Sequence, residues 1–180
     1  MNGVLSFAIM APAALLTHGS SVKQEAWQAY TSIDSRVRFE MPFSPKEQVV
    51  KSPDGAKCRI YACVQDDFTF QAVAIDMSED LQMALKEVVC EDEISTTRQL
   101  LGDAIGGFQD ATNGKLVSDD YLRFHKFPAR ASTLIFADRE AKAMAVIGTT
   151  KAYIFTVTYT KGNEGRAQAK RFFDSVVFKD

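Results

Sequence analysis

The sequence is poor in the residues that catalysis and metal binding usually need. Only two histidines occur, His18 and His125. A histidine base works beside a nucleophile and an orienting group, and no motif in the sequence places either against His125. The three cysteines, Cys58, Cys63 and Cys90, have no CxxC spacing, which leaves zinc and thioredoxin-type chemistry unsupported. There is no GxSxG, no GxxxxGK[ST], no HExxH and no Rossmann glycine run. Basic runs are equally scarce. No more than two Lys or Arg adjoin (Lys170, Arg171) and the formal net charge is -2, which argues against a nucleic-acid partner. No cofactor and no metal are expected, and the chain reads as a protein other than an enzyme.

Charge is missing altogether from residues 1–22, "MNGVLSFAIMAPAALLTHGSSV". The apolar part, Val4 to Leu16, has the length of a signal-peptide core and is too short to span a bilayer. Thr17 and Gly19 follow at cleavage spacing, although no basic side chain precedes the apolar part. Without a cysteine this segment cannot carry a lipoprotein acylation site. Residues 1–22 are therefore expected to be a signal peptide or a disordered N-terminus. One domain is expected over 23–180, periplasmic or secreted, with no integral membrane segment in the mature chain. Cys58 and Cys63 lie five apart on a strand pattern and so face opposite sides. Either of them can reach Cys90, or all three serve as small buried apolar side chains.

What is present is patterning. In "SRVRFEMPF", Val37, Phe39, Met41 and Phe43 alternate with Arg36, Arg38 and Glu40, a strand with one wet face that Pro42 and Pro45 end. "SPDG" at Ser52 to Gly55 is a turn by composition. A hairpin follows, "KCRIYACV", "QDD", "FTFQAVAIDM". Phe68, Phe70, Ala72 and Ala74 share one face of its second strand, and Val73 and Ile75 make the other apolar. That pattern marks a central strand covered on both sides.

Ser78 is a helix N-cap with Glu79 and Asp80 behind it. A second helix is expected to start at Ser95, with Leu101, Ile105 and Phe108 on one side. Gly106 and Gly107 sit inside it, which suggests close packing of that turn on a sheet. Asn113 and Gly114 stop it. "GDAIGG" at Gly102 to Gly107 thus falls within a helix and is not a phosphate loop.

Four strands come next, "KLVSDDYLRF", "ARASTLIFA", "KAMAVIGT" and "AYIFTVTYT". The corner "HKFP" links the first two, "DRE" at Asp138 to Glu140 the second pair, and "TTK" the third. The acidic stretches "CEDEIS" and "SDDY" lack the spaced calcium-loop pattern and read as solvated loops, and "ADRE" as a charged turn. A last helix is capped by Asn163 and carries Ala169, Phe172, Phe173 and Val176 as its apolar stripe; "VVF" is a short extension. The expected fold class is α+β, an antiparallel sheet of about six to seven strands with helices packed on it.

This element order resembles the PsbP-like α/β/α sandwich, and in particular the small secreted bacterial domains of that kind. Three stretches carry the resemblance: "YTSIDSRVRFEMPFSPKEQ", "NGKLVSDDYLRFHKFPAR" and "YIFTVTYTKGNEGRAQAKRFFDSVVF". Lys126 stands where such domains usually have a glycine before the aromatic-Pro pair. The resemblance implies binding and assembly rather than catalysis, with no catalytic or metal-binding residues to carry over. Two functions follow as expectations. One is docking on another envelope protein. The other is carriage of a small apolar ligand in a pocket between sheet and helix. His125, Arg130, Tyr153, Phe155 and Tyr159 are the candidate binding surface.

Overall fold

The computed structural model describes residues 27–32, 36–51, 55–65, 67–87 and 91–179. The N-terminal segment 1–22, most of the "SPDG" turn and Cys90 lie outside the described residues.

Among them are ten strands and three helices. The strands are β1 (Gln28–Thr31), β2 (Val37–Met41), β3 (Lys46–Lys51), β4 (Lys57–Gln65), β5 (Phe68–Asp76), β6 (Lys115–Phe124), β7 (Phe127–Phe136), β8 (Arg139–Ile147), β9 (Lys151–Thr160) and β10 (Val177–Phe178). The helices are α1 (Glu79–Glu87), α2 (Glu91–Thr112) and α3 (Asn163–Asp174). One sheet has seven strands in the order β3-β4-β5-β9-β8-β7-β6; a smaller one has the order β1-β2-β10. Every pairing is antiparallel.

The seven-stranded sheet is covered on both faces, which is why its central strands carry apolar residues at successive positions. Phe70, Ala72, Tyr153, Phe155, Val157 and Tyr159 face a core closed by Val37, Phe39 and Met41 of β2 and by Ala169 and Phe172 of α3. Val73, Ile75, Ala143, Ala145 and Ile154 face the opposite core, closed by Leu100, Leu101, Ala104, Ile105 and Phe108 of α2. The result is the three-layer α+β sandwich that the pattern implies. Thr156 of β9 is buried and its hydroxyl donates to Gln71 Oε1 at 3.2 Å. Cys58 and Cys63 are buried in opposite cores. Burial pushes the Cys63 thiol up to about 11, so it stays protonated at neutral pH.

Several boundaries differ from the expected ones. β1 and β3 appear without an alternating pattern, since nearly all their side chains are solvated. α2 begins at Glu91, not at Ser95, because the charged "EDE" suits a first helical turn. Gly162, not Asn163, holds the cap position of α3. The β6–β7 turn is His125-Lys126, so Pro128 is a strand residue opposite Arg123. Pairing of β7 with β8 begins at Ala129, so the missing N–H of Pro128 leaves no gap in that ladder. The β7–β8 turn is Ala137-Asp138, with Ala137 at φ 50°. Glu140 is then no turn residue: it sits in β8 and is buried.

The glycine expectation is also redirected. A Cβ at Gly106 would meet open space, whereas one at Gly102 would come 3.0 Å from the Arg130 guanidinium. Close approach is found at Gly102 and not at Gly106. Gly106→Ala should stabilise the protein by about 1 kcal/mol, the helix-propensity difference with no steric charge against it. Chemical denaturation checks this; a loss of stability would mean that the turn around Gly106 is tighter than described.

Candidate functional site

The β6–β7 hairpin places two of the candidate residues. At its tip, His125 has φ 55°, a left-handed conformation in which histidine is better tolerated than most side chains. Its ring lies edge-on to Phe124, with centroids 4.8 Å apart, and 6.1 Å from the Phe178 ring. Nε2 stands 3.4 Å from the Val176 carbonyl oxygen, which can only accept. The exposed histidine thus ties the hairpin tip to the segment entering β10.

Arg130 lies on the other face of the sheet. Its Nε and Nη2 donate to Oδ1 and Oδ2 of Asp119 at 2.7 and 2.6 Å, a bidentate pair. The Ser132 hydroxyl donates to the same Oδ1 at 2.8 Å. The Arg130 guanidinium also lies 5.0 Å from the centroid of Tyr121, and that of Arg98, from α2, lies 5.4 Å from it. Asp119 is therefore a strand residue with assigned partners, not part of a solvated acidic loop. Its neighbours follow from register: Asp119 faces Ser132, and Tyr121 faces Arg130.

Hydrogen bonding from Arg130 holds the Asp119 carboxyl below its usual range. A carboxyl with a depressed folded-state pKa contributes stability above its unfolded value, and that contribution is lost as pH falls through the folded one. The stability difference between wild type and Asp119→Asn should accordingly be constant near neutrality. It should shrink below about pH 4, the ordinary aspartate range. Denaturation midpoints from pH 7 to pH 3 test this, and a difference that grows in acid would contradict the assignment.

Tyr153, Phe155 and Tyr159 are core residues, 4%, 1% and 0% exposed. The space between them and α3 is filled. Phe178 packs 5.1 Å from Tyr153 and 6.4 Å from Phe155, and Phe172 lies 6.4 Å from Phe155. The Tyr159 hydroxyl donates to Oε1 of buried Glu140 at 2.5 Å, and Arg166 reaches Oε2 at 3.5 Å. Burial, with Glu140 adding to it, holds that phenol well above its ordinary value. His125, Tyr153 and Phe155 thus meet at Phe178. Arg130 stands on the opposite face, and Tyr159 lies under α3.

An open groove of about 390 Å³ runs along α3, lined by Glu40, Ala167, Lys170, Arg171, Asp174 and Ser175. Its charges pair with one another, Lys170 with Asp174 and Arg171 with Glu40. They do not converge on a point where a ligand group could sit. Among the described residues no three His, Cys, Asp or Glu side chains gather as a metal would require, and no helix is long and apolar enough to cross a membrane.

The candidate residues do not include the exposed side chains of β6. This is the outermost strand of the seven-stranded sheet, and its residues are exposed along almost its whole length. Three of the exposed large apolar side chains, Val117, Tyr121 and Leu122, lie on it. A signal was available: "KLVSDDYLRF" puts apolar and charged residues on both faces, as an edge strand does.

No family model matches the chain, and no curated protein matches it in sequence. Solved structures do. The solution structure of cyanobacterial PsbP (CyanoP) from Synechocystis sp. PCC 6803 superposes with a TM-score of 0.59 at 11% identity, covering 91% of this chain and 99% of that one. A crystal structure of a protein of unknown function from Pseudomonas aeruginosa gives a TM-score of 0.42 at 13% identity, covering 86% of this chain and 98% of that one. The chain has the PsbP-like fold.

Proposed function

We propose that this chain is a non-catalytic docking module of the bacterial envelope, periplasmic or secreted. Its contact surface is the outer edge of β6 with the hairpin tip at His125, and its partner is another protein. The observation that carries this reading is the concentration of exposed Val117, Tyr121 and Leu122 on one sheet edge that is unpaired among the described residues. An edge strand offers a row of free backbone donors and acceptors as well as side chains. Of the candidate residues, His125 belongs to that surface and Arg130 supports Tyr121 from beside it. Tyr153, Phe155 and Tyr159 hold the core behind it. The carrier alternative needs a cavity where Phe172 and Phe178 now pack, and nothing favours it.

A photo-reactive amino acid at Leu122, irradiated in intact cells, should give a covalent protein adduct. The same probe at Val49, exposed on the opposite edge strand β3, should give none. Equal adducts from both positions, or none from Leu122, would remove the docking surface. Recovery of the chain only from the cytoplasm would remove the envelope assignment.

A further inference from the structure

We infer that the strand completing this edge is β6 of a second copy of the chain, antiparallel and centred on Tyr121. The inference rests on the reading of β6 as the contact surface and names its partner.

The regular part of β6 is short and symmetric. Its register with β7 shifts between Leu116 and Ser118, a bulge at Val117, and is regular from Ser118 to Phe124. The turn follows at His125. Tyr121 is the midpoint of that regular stretch. Asp119 and Arg123 lie two residues to either side of it, so with Tyr121 they share one face of the sheet. Arg123 is exposed, and none of the ion pairs among the described residues uses it.

Two copies pairing about Tyr121 would set Asp119 of each opposite Arg123 of the other, twice over. Directly opposed unlike charges stabilise an antiparallel ladder, and like charges oppose it. Other centres within the regular stretch lack this match. Centring on Asp119 sets Asp119 against itself and Lys115 against Arg123. Centring on Asp120 or on Arg123 sets a like charge against itself, and centring on Leu122 forms no ion pair. The acceptor has room. An ionised carboxylate offers about four lone-pair sites, and Asp119 uses two on Oδ1 and one on Oδ2 within its own chain. Tyr121 then meets its own copy on the two-fold axis, as an isologous interface requires.

A residue on a two-fold axis can be cross-linked to itself. Antiparallel partners lie about 4.5–5.5 Å apart at Cα, within the range a disulfide spans. In a Cys90→Ser background, Tyr121→Cys should form a covalent homodimer under mild oxidation. Leu122→Cys, which faces Asp120 of the second copy, should stay largely monomeric. Adding Arg123→Glu to Tyr121→Cys should abolish the cross-link, and sedimentation of otherwise unaltered protein should show a dimer that Arg123→Glu alone converts to monomer. Equal cross-linking at 121 and 122, or a monomer at every concentration, overturns the inference. The Leu122 photo-adduct separates the two readings. Adducts to other proteins only would remove the second copy and keep the docking surface; no adduct would remove both.

Discussion

Phe172→Ala should cost about 4 kcal/mol of folding stability, the middle of the range for truncating a fully buried phenylalanine. Phe172 is wholly buried, and its ring meets those of Phe39, Phe70 and Phe155 at 6.4, 5.6 and 6.4 Å. These rings come from β2, β5 and β9, so the cavity would open where the small sheet, the large sheet and α3 converge. The neighbours cannot collapse into it without moving a whole layer, so the cavity contribution is kept in full. The single tryptophan, Trp27, packs edge-on to Phe70 at 5.5 Å. Its fluorescence during urea unfolding therefore reports on this core. A loss below about 1 kcal/mol, as for an ordinary surface site, would mean that α3 does not close this core.

Gly165→Ala should be almost as damaging, although alanine is the better helix former. A Cβ at Gly165 would lie 2.2 Å from Cδ2 and 2.7 Å from Cγ of Tyr159. The ring cannot swing aside, since it is fully buried and its hydroxyl is bonded to Glu140. The added methyl group must push α3 off the sheet or break that hydrogen bond. Overpacking of this kind costs about 1–3 kcal/mol, and the outcome here should fall at the top of that range even after alanine's helix propensity offsets part of it. A stabilised Gly165→Ala protein would show that the first turn of α3 does not rest on Tyr159. The contrast with Gly106, where the same substitution meets open space, separates the steric effect from the propensity effect.

Much of the sandwich was readable from local pattern. The two-sided apolar character of β5 and the short links of the β6–β9 meander sufficed for the large sheet and its antiparallel sense. β3 escaped because "KEQVVK" has no buried face to impose an alternation. The small sheet escaped because β1 and β10 are four and two residues long. The site residues were harder, since their partners are set by cross-strand register. Glu140 is buried because it lies directly opposite Tyr159, which a local reading of "ADRE" cannot reveal. Taking all of "HKFP" as the corner instead of His125-Lys126 likewise hid the pairing of Tyr121 with Arg130, because strand register sets which side chains face each other. Tyr153, Phe155 and Tyr159 lie on one face of β9. The packing of Phe172 and Phe178 against that face depends on where the C-terminal segment returns.

The order of strands in the large sheet also bears on how the chain reaches this structure. β3, β4 and β5 pair as sequence neighbours, and so do β6, β7, β8 and β9. Each group can assemble while its loops are short. The seam between β5 and β9 is different: Phe68 must find Tyr159 and Asp76 must find Lys151, across everything from α1 to β8. Closing so long a loop costs entropy before any contact repays it. Joining the two half-sheets along β5 and β9 therefore carries a loop-closure cost that the hairpin pairings do not. Until it happens each half exposes an apolar strand edge, the period in which the nascent protein is most open to aggregation.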